Sequence, residues 1–220
     1  MARYRKTVWL LFGPMLAGVL LAAQTRHQQE HPPQDTSRYI EALQAHSRDA
    51  WQDPQKVMAT LALKPGERVA DLGAGPGYFT LRFARAVGPT GKVYAVDISR
   101  EMLDYLGKQA QADHLTNVQP VLADAHNPNL PPASVDMIFI CDTLHHISGR
   151  TQYYPLLIRA LKPGGLLVNV DFYKRSLPVG PPVQMKISKA EMIREAEAAG
   201  FHLVRQYDFL RYQYFLVFKR

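Results

Sequence analysis

The sequence predicts an α/β fold: a doubly wound, mostly parallel sheet of seven strands, covered by helices, with the last strand antiparallel. Three observations carry this. Short apolar stretches bounded by turn residues alternate with stretches of helical periodicity from residue 68 onward. The short stretches are apolar at consecutive positions, as strands buried on both faces must be. Residues 202–210 and 212–218 read as two strands separated too briefly for a crossover helix, so they must pair antiparallel.

The elements follow in order. Residues 37–63 look helical and end at Lys64-Pro65-Gly66, a turn signal that forbids helix continuation. Residues 68–72 then read as a strand and 78–87 as a helix, because the apolar spacing changes from consecutive to helical. The pattern repeats as strand 92–96 and helix 101–112, strand 118–122 and a loop, and strand 137–140 and helix 153–161. Residues 166–171 give one more strand and 189–199 one more helix before the closing pair.

Composition narrows the class. With 47% hydrophobic and 20% charged residues over 220 positions, a disordered chain is excluded, and one cysteine excludes a disulfide scaffold and a cysteine zinc cluster. The net charge of +7 comes from basic residues spread along the chain, so no nucleic-acid partner is expected. The N-terminus differs from the rest. Arg3, Arg5 and Lys6 precede an uncharged, mostly apolar run over residues 7–24, the pattern of a targeting segment. It is short for a spanning helix of about 20 apolar residues and long for a signal-peptide core of roughly 7 to 15. Leu21-Ala22-Ala23 meets only half of a signal peptidase's preference for small residues, which favours an anchor over a cleaved signal. The expected organisation is a signal peptide or membrane anchor at 1–24, a polar linker with Pro32 and Pro33 at 25–36, and one domain at 37–220. The flanking charges would send that domain outward, membrane-associated or exported, with membrane contact through residues 7–24.

In such sheets, ligands sit outside the carboxyl ends of the strands where the strand order reverses. Asp71-Leu72-Gly73-Ala74-Gly75-Pro76-Gly77 follows the first strand and opens a helix, putting glycines where a backbone must turn tightly beside a ligand. A dinucleotide fingerprint would need glycine at 78, where Tyr78 stands, and no Gly-Lys-Ser or Gly-Lys-Thr follows, which disfavours nicotinamide, flavin and P-loop chemistry. Asp97 ends the second strand, where a carboxylate can accept two hydrogen bonds from a ribose diol. Asp124 closes the third, followed by Ala125; a carboxylate there can accept from an exocyclic amine while a backbone N–H donates to a purine nitrogen. Each Asp alone also suits a helix cap or turn. Their succession after a glycine loop is what suggests a nucleoside site.

The run Val69-Ala70-Asp71-Leu72-Gly73-Ala74-Gly75-Pro76-Gly77-Tyr78-Phe79-Thr80, together with Val96-Asp97, Asp124-Ala125 and Leu161-Lys162-Pro163-Gly164-Gly165, resembles the class I S-adenosylmethionine-dependent methyltransferases of the type 11-like kind. The likeness covers about residues 45–220 and implies a Rossmann-like methyltransferase fold and S-adenosyl-L-methionine as methyl donor; it does not fix the acceptor, for which the anchor beside an intact cofactor site suggests a small, lipophilic molecule. It implies that Asp71, Gly73, Ala74 and Gly75 hold the methionine part, Asp97 the ribose, Ile98 the adenine face, and Asp124 with Ala125 the adenine edge. Residues 136–147 look like the family's segment bordering both methionine and acceptor, which puts Cys141 and Asp142 near the cofactor. The alternative on the same residues is a non-catalytic module that binds S-adenosylmethionine.

Methyl transfer from a sulfonium is an in-line displacement that rests mainly on positioning, but a hydroxyl or thiol acceptor must lose a proton. His145 and His146 follow the fourth strand, and His145 is the candidate catalytic base; such a pair can equally just shape the loop. No third ligand lies at zinc spacing, and Asp142 and Asp171 alone are too few oxygen ligands for magnesium, so no metal is expected. Trp51 on the opening helix could line the acceptor site, as could the aromatic tail from Tyr207 to Phe218, although alternating residues there suit a core. Residues 174–182, rich in Pro and Gly, are the expected acceptor loop.

Overall fold

Strands β1 (Arg68–Leu72), β2 (Lys92–Asp97), β3 (Val118–Leu122), β4 (Val135–Cys141), β5 (Leu161–Phe172), β6 (His202–Tyr207) and β7 (Gln213–Lys219) form one sheet in the order β3-β2-β1-β4-β5-β7-β6. The computed structural model describes residues 36–220. The expected signal or anchor at 1–24, and the expected linker apart from its last residue, lie outside the described residues. Among the described residues no helix is long and apolar enough to cross a membrane.

Neighbouring strands from β3 to β5 are parallel, and β7 runs antiparallel to both β5 and β6. The single reversed strand is therefore inserted between its neighbours. β1 and β4 lie side by side although two strands separate them in sequence, so chain progression turns from one direction to the other between them. That reversal opens a crevice at their carboxyl ends.

Alternation along each strand divides the core. Ala70, Leu72, Ile138, Ile140, Leu167 and Tyr214 face Tyr154 and Leu157 of α6 (Arg150–Ala160) and Met192 and Ala196 of α7 (Lys189–Ala198). Val69, Val93, Phe139, Val168 and Phe215 face Phe83 of α4 (Thr80–Val87) and Val57 on the other side. Phe79, Phe83 and Phe139 meet with ring centroids 4.9–5.8 Å apart. Each such fully buried ring contributes roughly 1.5–3 kcal/mol through removal from water.

The opening segment departs from the expected single helix. It forms α1 (Thr36–Gln44), α2 (His46–Gln52) and α3 (Pro54–Leu61). Asp53 breaks it: its left-handed backbone (φ 43°) ends α2, with its N–H on the Asp49 carbonyl, while its side chain accepts from Lys56 N to cap α3. Pro54 then occupies the first turn, where its missing N–H costs nothing. α5 (Arg100–Ala112) starts the same way, with the Ser99 hydroxyl accepting from Met102 N at 3.2 Å. β5 begins earlier than expected, because 161–165 continues in extended form alongside Val135.

Candidate active site

At the carboxyl end of β1, Asp71 is buried, and Thr80 at the head of α4 donates its hydroxyl to Asp71 Oδ2 at 2.6 Å. Burial pushes the Asp71 carboxyl up to about 7, only partly offset by that bond and by the Arg48 guanidinium. The glycine loop that follows is pinned to β2: Gly73 N and Ala74 N both donate to the Val96 carbonyl at 2.8 and 3.0 Å. Gly73 must be glycine twice over. Its φ is 78°, and a Cβ there would fall 2.0 Å from the Thr143 hydroxyl, so the loop after β1 and the segment after β4 touch across the crevice.

Gly75 N donates to Asp97 Oδ2 at 2.8 Å and Ser99 N to Oδ1 at 2.9 Å. Burial raises the Asp97 pKa against these bonds. Each carboxylate oxygen has a second lone pair, so Asp97 could still accept from a vicinal diol. Beside it Ile98 is 62% exposed, and Leu122, the register partner of Asp97 on β3, is 39% exposed. Two large apolar side chains standing in solvent next to that carboxylate make a shelf on which a flat base could lie. Asp124 and Ala125 are exposed further out. Asp124 accepts from His126 N at 2.7 Å and pairs with Asn127, so it also shapes the turn.

Helices α1 and α2 are tied to this loop. Gln44 donates to the Pro76 carbonyl at 3.1 Å, and the Tyr78 hydroxyl donates to Asp49. Tyr78, the residue that breaks the dinucleotide fingerprint, is also a platform: the Arg48 guanidinium lies 4.1 Å from its ring centroid. Arg48 then reaches the end of β4, with Nη2 3.5 Å from Asp142 Oδ2. The other Asp142 oxygen accepts from Gln213 at 2.5 Å, and Gln213 accepts from Gln52 at 2.7 Å. Burial lifts Asp142 to about 6, with Arg48 opposing, and pushes the Cys141 thiol well up. The backbone at Asp142 is left-handed (φ 55°), which turns its carboxylate out of the strand line.

His145 sits in the single 3₁₀ turn after β4, and its Nδ1 lies 2.9 and 3.1 Å from the two oxygens of Asp171 at the end of β5. The two side chains are 2% and 0% exposed. Phe172 N donates to Asp171 Oδ1 at 2.8 Å and fixes the carboxylate. A carboxylate only accepts, so Nδ1 carries a proton, and in the neutral ring Nε2 is then the basic nitrogen. Trp51 packs on Phe172, the residue after Asp171, with centroids 5.6 Å apart.

The carboxyl end of the sheet thus carries Asp71, Gly73, Ala74, Gly75, Asp97, Ile98, Asp142 and His145, with Asp124 and Ala125 at its outer margin. Arg48, Gln52 and Gln213 escaped the sequence reading, and Asp171 entered it only as a metal candidate. Arg48 and Gln52 stand four apart on one helical face, the only available signal. Bare main chain at 73–75, a diol-accepting carboxylate and an exposed apolar shelf fit an adenosine bearing a short amino-acid tail. Among the described residues no three His, Cys, Asp or Glu side chains gather in a way that could hold a metal ion.

A family model described as "Methyltransferase domain" matches residues 69–165, from β1 into β5. The structure described as "a SAM dependent methyltransferase from Aquifex aeolicus" is 31% identical with a TM-score of 0.79, over 84% of this chain and 98% of that one. "Ubiquinone/menaquinone biosynthesis C-methyltransferase UbiE" of Ectopseudomonas mendocina (strain ymp) is 33% identical over 152 residues, 68% of this chain and 57% of the relative. The chain spans about half the length of the curated relatives it matches. "The [4+2]-Cyclase SpnF", 24% identical with a TM-score of 0.62 over 72% of this chain and 60% of that one, shares the fold. Since the Aquifex protein is matched along nearly its whole length, and the matched segment carries the glycine loop and Asp97, this chain belongs to the S-adenosylmethionine-dependent methyltransferases, whose methyl donor is S-adenosylmethionine.

Proposed function

We propose that the protein methylates a small, partly lipophilic acceptor, with His145 as general base and Asp171 as the residue that orients it. The buried His145–Asp171 pair is the observation that carries this reading. S-adenosylmethionine, when bound, supplies a methyl group already activated on a sulfonium. Asp71 and the main chain at 73–75 would hold its methionine part, Asp97 its ribose, and Ile98 with Asp124 and Ala125 its base. As the acceptor atom bonds to the methyl carbon and the carbon–sulfur bond breaks, the acceptor's proton passes to Nε2 of His145. The imidazolium then faces Asp171, which stabilises it without taking the proton. Trp51 and Phe172 would keep the acceptor's apolar part out of water. The name C-methyltransferase carried by the curated relatives supports an acceptor whose nucleophile is a carbon activated by an adjacent ionisable hydroxyl, a case that calls for a base. The uncharged run at 7–24 supports a domain held at a membrane or exported.

The test is transfer of a labelled methyl group to acceptors in a cell extract. His145→Gln and Asp171→Asn should each lower the rate on the order of a hundredfold while leaving cofactor affinity within about twofold. Asp97→Ala should abolish cofactor binding. A folded protein that binds the cofactor and labels nothing would instead be a non-catalytic binding module.

A further inference from the structure

Three segments far apart in sequence converge on one groove at the acceptor side of the sheet. Lys174 and Arg175 follow β5, Lys189 opens α7, and Arg211 lies in the turn between β6 and β7. They line a cavity of about 600 Å³, the size of a small-molecule site, in which Asp208 is the one lining acid. The first turn of α7 adds the positive end of its dipole to the same field. Gathering four cations around one cleft raises their electrostatic free energy, and an anion lowers it.

The cations are only partly neutralised by their neighbours. Lys174 Nζ is 3.6 Å from Glu191 Oε2, and Lys189 donates to Gln206 Oε1 at 3.3 Å. Arg175 and Arg211 lie over the rings of Tyr173 and Tyr212, each 5.3 Å from the centroid. Stacking fixes a guanidinium plane while its edge donors keep the fork geometry that suits phosphate and carboxylate oxygens.

The groove adjoins the proposed reaction centre. Tyr173 stands two residues beyond Asp171, about 7 Å along an extended chain. Lys186, 2% exposed, bridges the two: its ammonium donates to the Arg175 carbonyl at 2.9 Å and lies 5.6 Å from the Phe172 ring centroid. We infer that the acceptor carries a phosphate-ester or carboxylate group, and that the groove formed by Lys174, Arg175, Lys189 and Arg211 holds this group while the apolar part reaches His145. The inference rests on the methyl-transfer reading above for the identity of the occupant, but not for the existence of the anion site.

The full chain and its Arg175→Gln/Arg211→Gln variant are titrated calorimetrically with inorganic pyrophosphate and separately with S-adenosylmethionine. Pyrophosphate should bind the parent more weakly as salt rises, and the variant on the order of tenfold more weakly still. Cofactor affinity should match within about twofold, which shows that the variant is folded. No pyrophosphate binding, or equal binding by both proteins, overturns the anion site. In parallel, labelled products from the extract are passed over an anion exchanger. Label in the retained fraction supports the acceptor class, and label only in the neutral fraction overturns it. No label from a cofactor-binding protein would sink the methyl-transfer reading, and the acceptor assignment with it, while pyrophosphate still decides the site. Loss of flotation with phosphatidylglycerol vesicles in the variant, without a change in pyrophosphate affinity, would assign the groove to a lipid surface and overturn the acceptor assignment.

Discussion

Asp71 is an acid folded into the middle of a sheet with one hydroxyl and a nearby guanidinium to support its charge. Its carboxyl titrates near 7 in the folded protein and near 3.8 when exposed, so between those values the folded form holds a proton that the unfolded form has lost. Folding takes up that proton, and stability therefore falls as pH rises from about 4 to about 7. Asp142, lifted to about 6, adds to the slope in the same direction. Each pKa unit is worth about 1.4 kcal/mol. Asp71→Asn keeps an acceptor for Thr80 and has nothing to ionise, so its melting temperature, measured without cofactor, should vary clearly less over this window than the parent's. An unchanged slope would place the pH sensitivity elsewhere. The sequence singled out Asp71, Asp97 and His145 because each stands at or just beyond the end of a strand that its apolar run reveals. It could not pair His145 with Asp171, since that contact depends on the ends of β4 and β5 reaching the same level, which only the register of Cys141 against Val170 sets.

At the scale of the element, the roof formed by α1 and α2 was read as part of one long helix. Its breaks come from Ala45, which has an extended backbone and no compositional signature, and from Asp53, whose position before Pro54 was a legible warning. The seven residues of α2 cannot be a stable helix alone, so tertiary bonds hold them. Gln44, Asp49, Arg48 and Gln52 supply those bonds, reaching Pro76, Tyr78, Asp142 and Gln213. Arg48→Ala removes the direct contact of the roof with Asp142 and leaves Gln52–Gln213 as its link to that side. It should speed cofactor dissociation on the order of tenfold in stopped-flow measurements and increase amide exchange in α2. An exchange pattern equal to the parent's would mean that the Gln44–Pro76, Tyr78–Asp49 and Gln52–Gln213 bonds hold the roof without Arg48. The strands were easier to locate, because consecutive apolar residues between turn signals leave few alternatives; the early start of β5 escaped because Pro163, Gly164 and Gly165 read as a turn.

At the scale of the whole molecule, the proposed cofactor half was legible, whereas of the proposed acceptor half His145, Trp51 and the 174–182 loop were named but not how they meet. The first half is local: a loop, a helix start and two strand-end acids, each within a few residues of its own motif. The second, as proposed, would be assembled from α2, the ends of β4 and β5, the segment before α7 and the turn before β7, and no periodicity records how these meet. The charge pattern around residues 7–24 predicts one further property of the intact chain. A reporter active on only one side of a membrane, fused after Arg220, should be active on the outer side; activity on the cytosolic side would reverse that orientation.

The place of β7 bears on how the protein is made. This strand is translated after the other six described strands, yet it sits between β5 and β6 and is buried along nearly its full length. Until it emerges from the ribosome, β5 presents an open row of amides and carbonyls, and β6 has no neighbour at all. A nascent polypeptide at that stage offers a sticky ribbon to any similar strand nearby, so chaperone demand should peak between the emergence of β5 and that of β7.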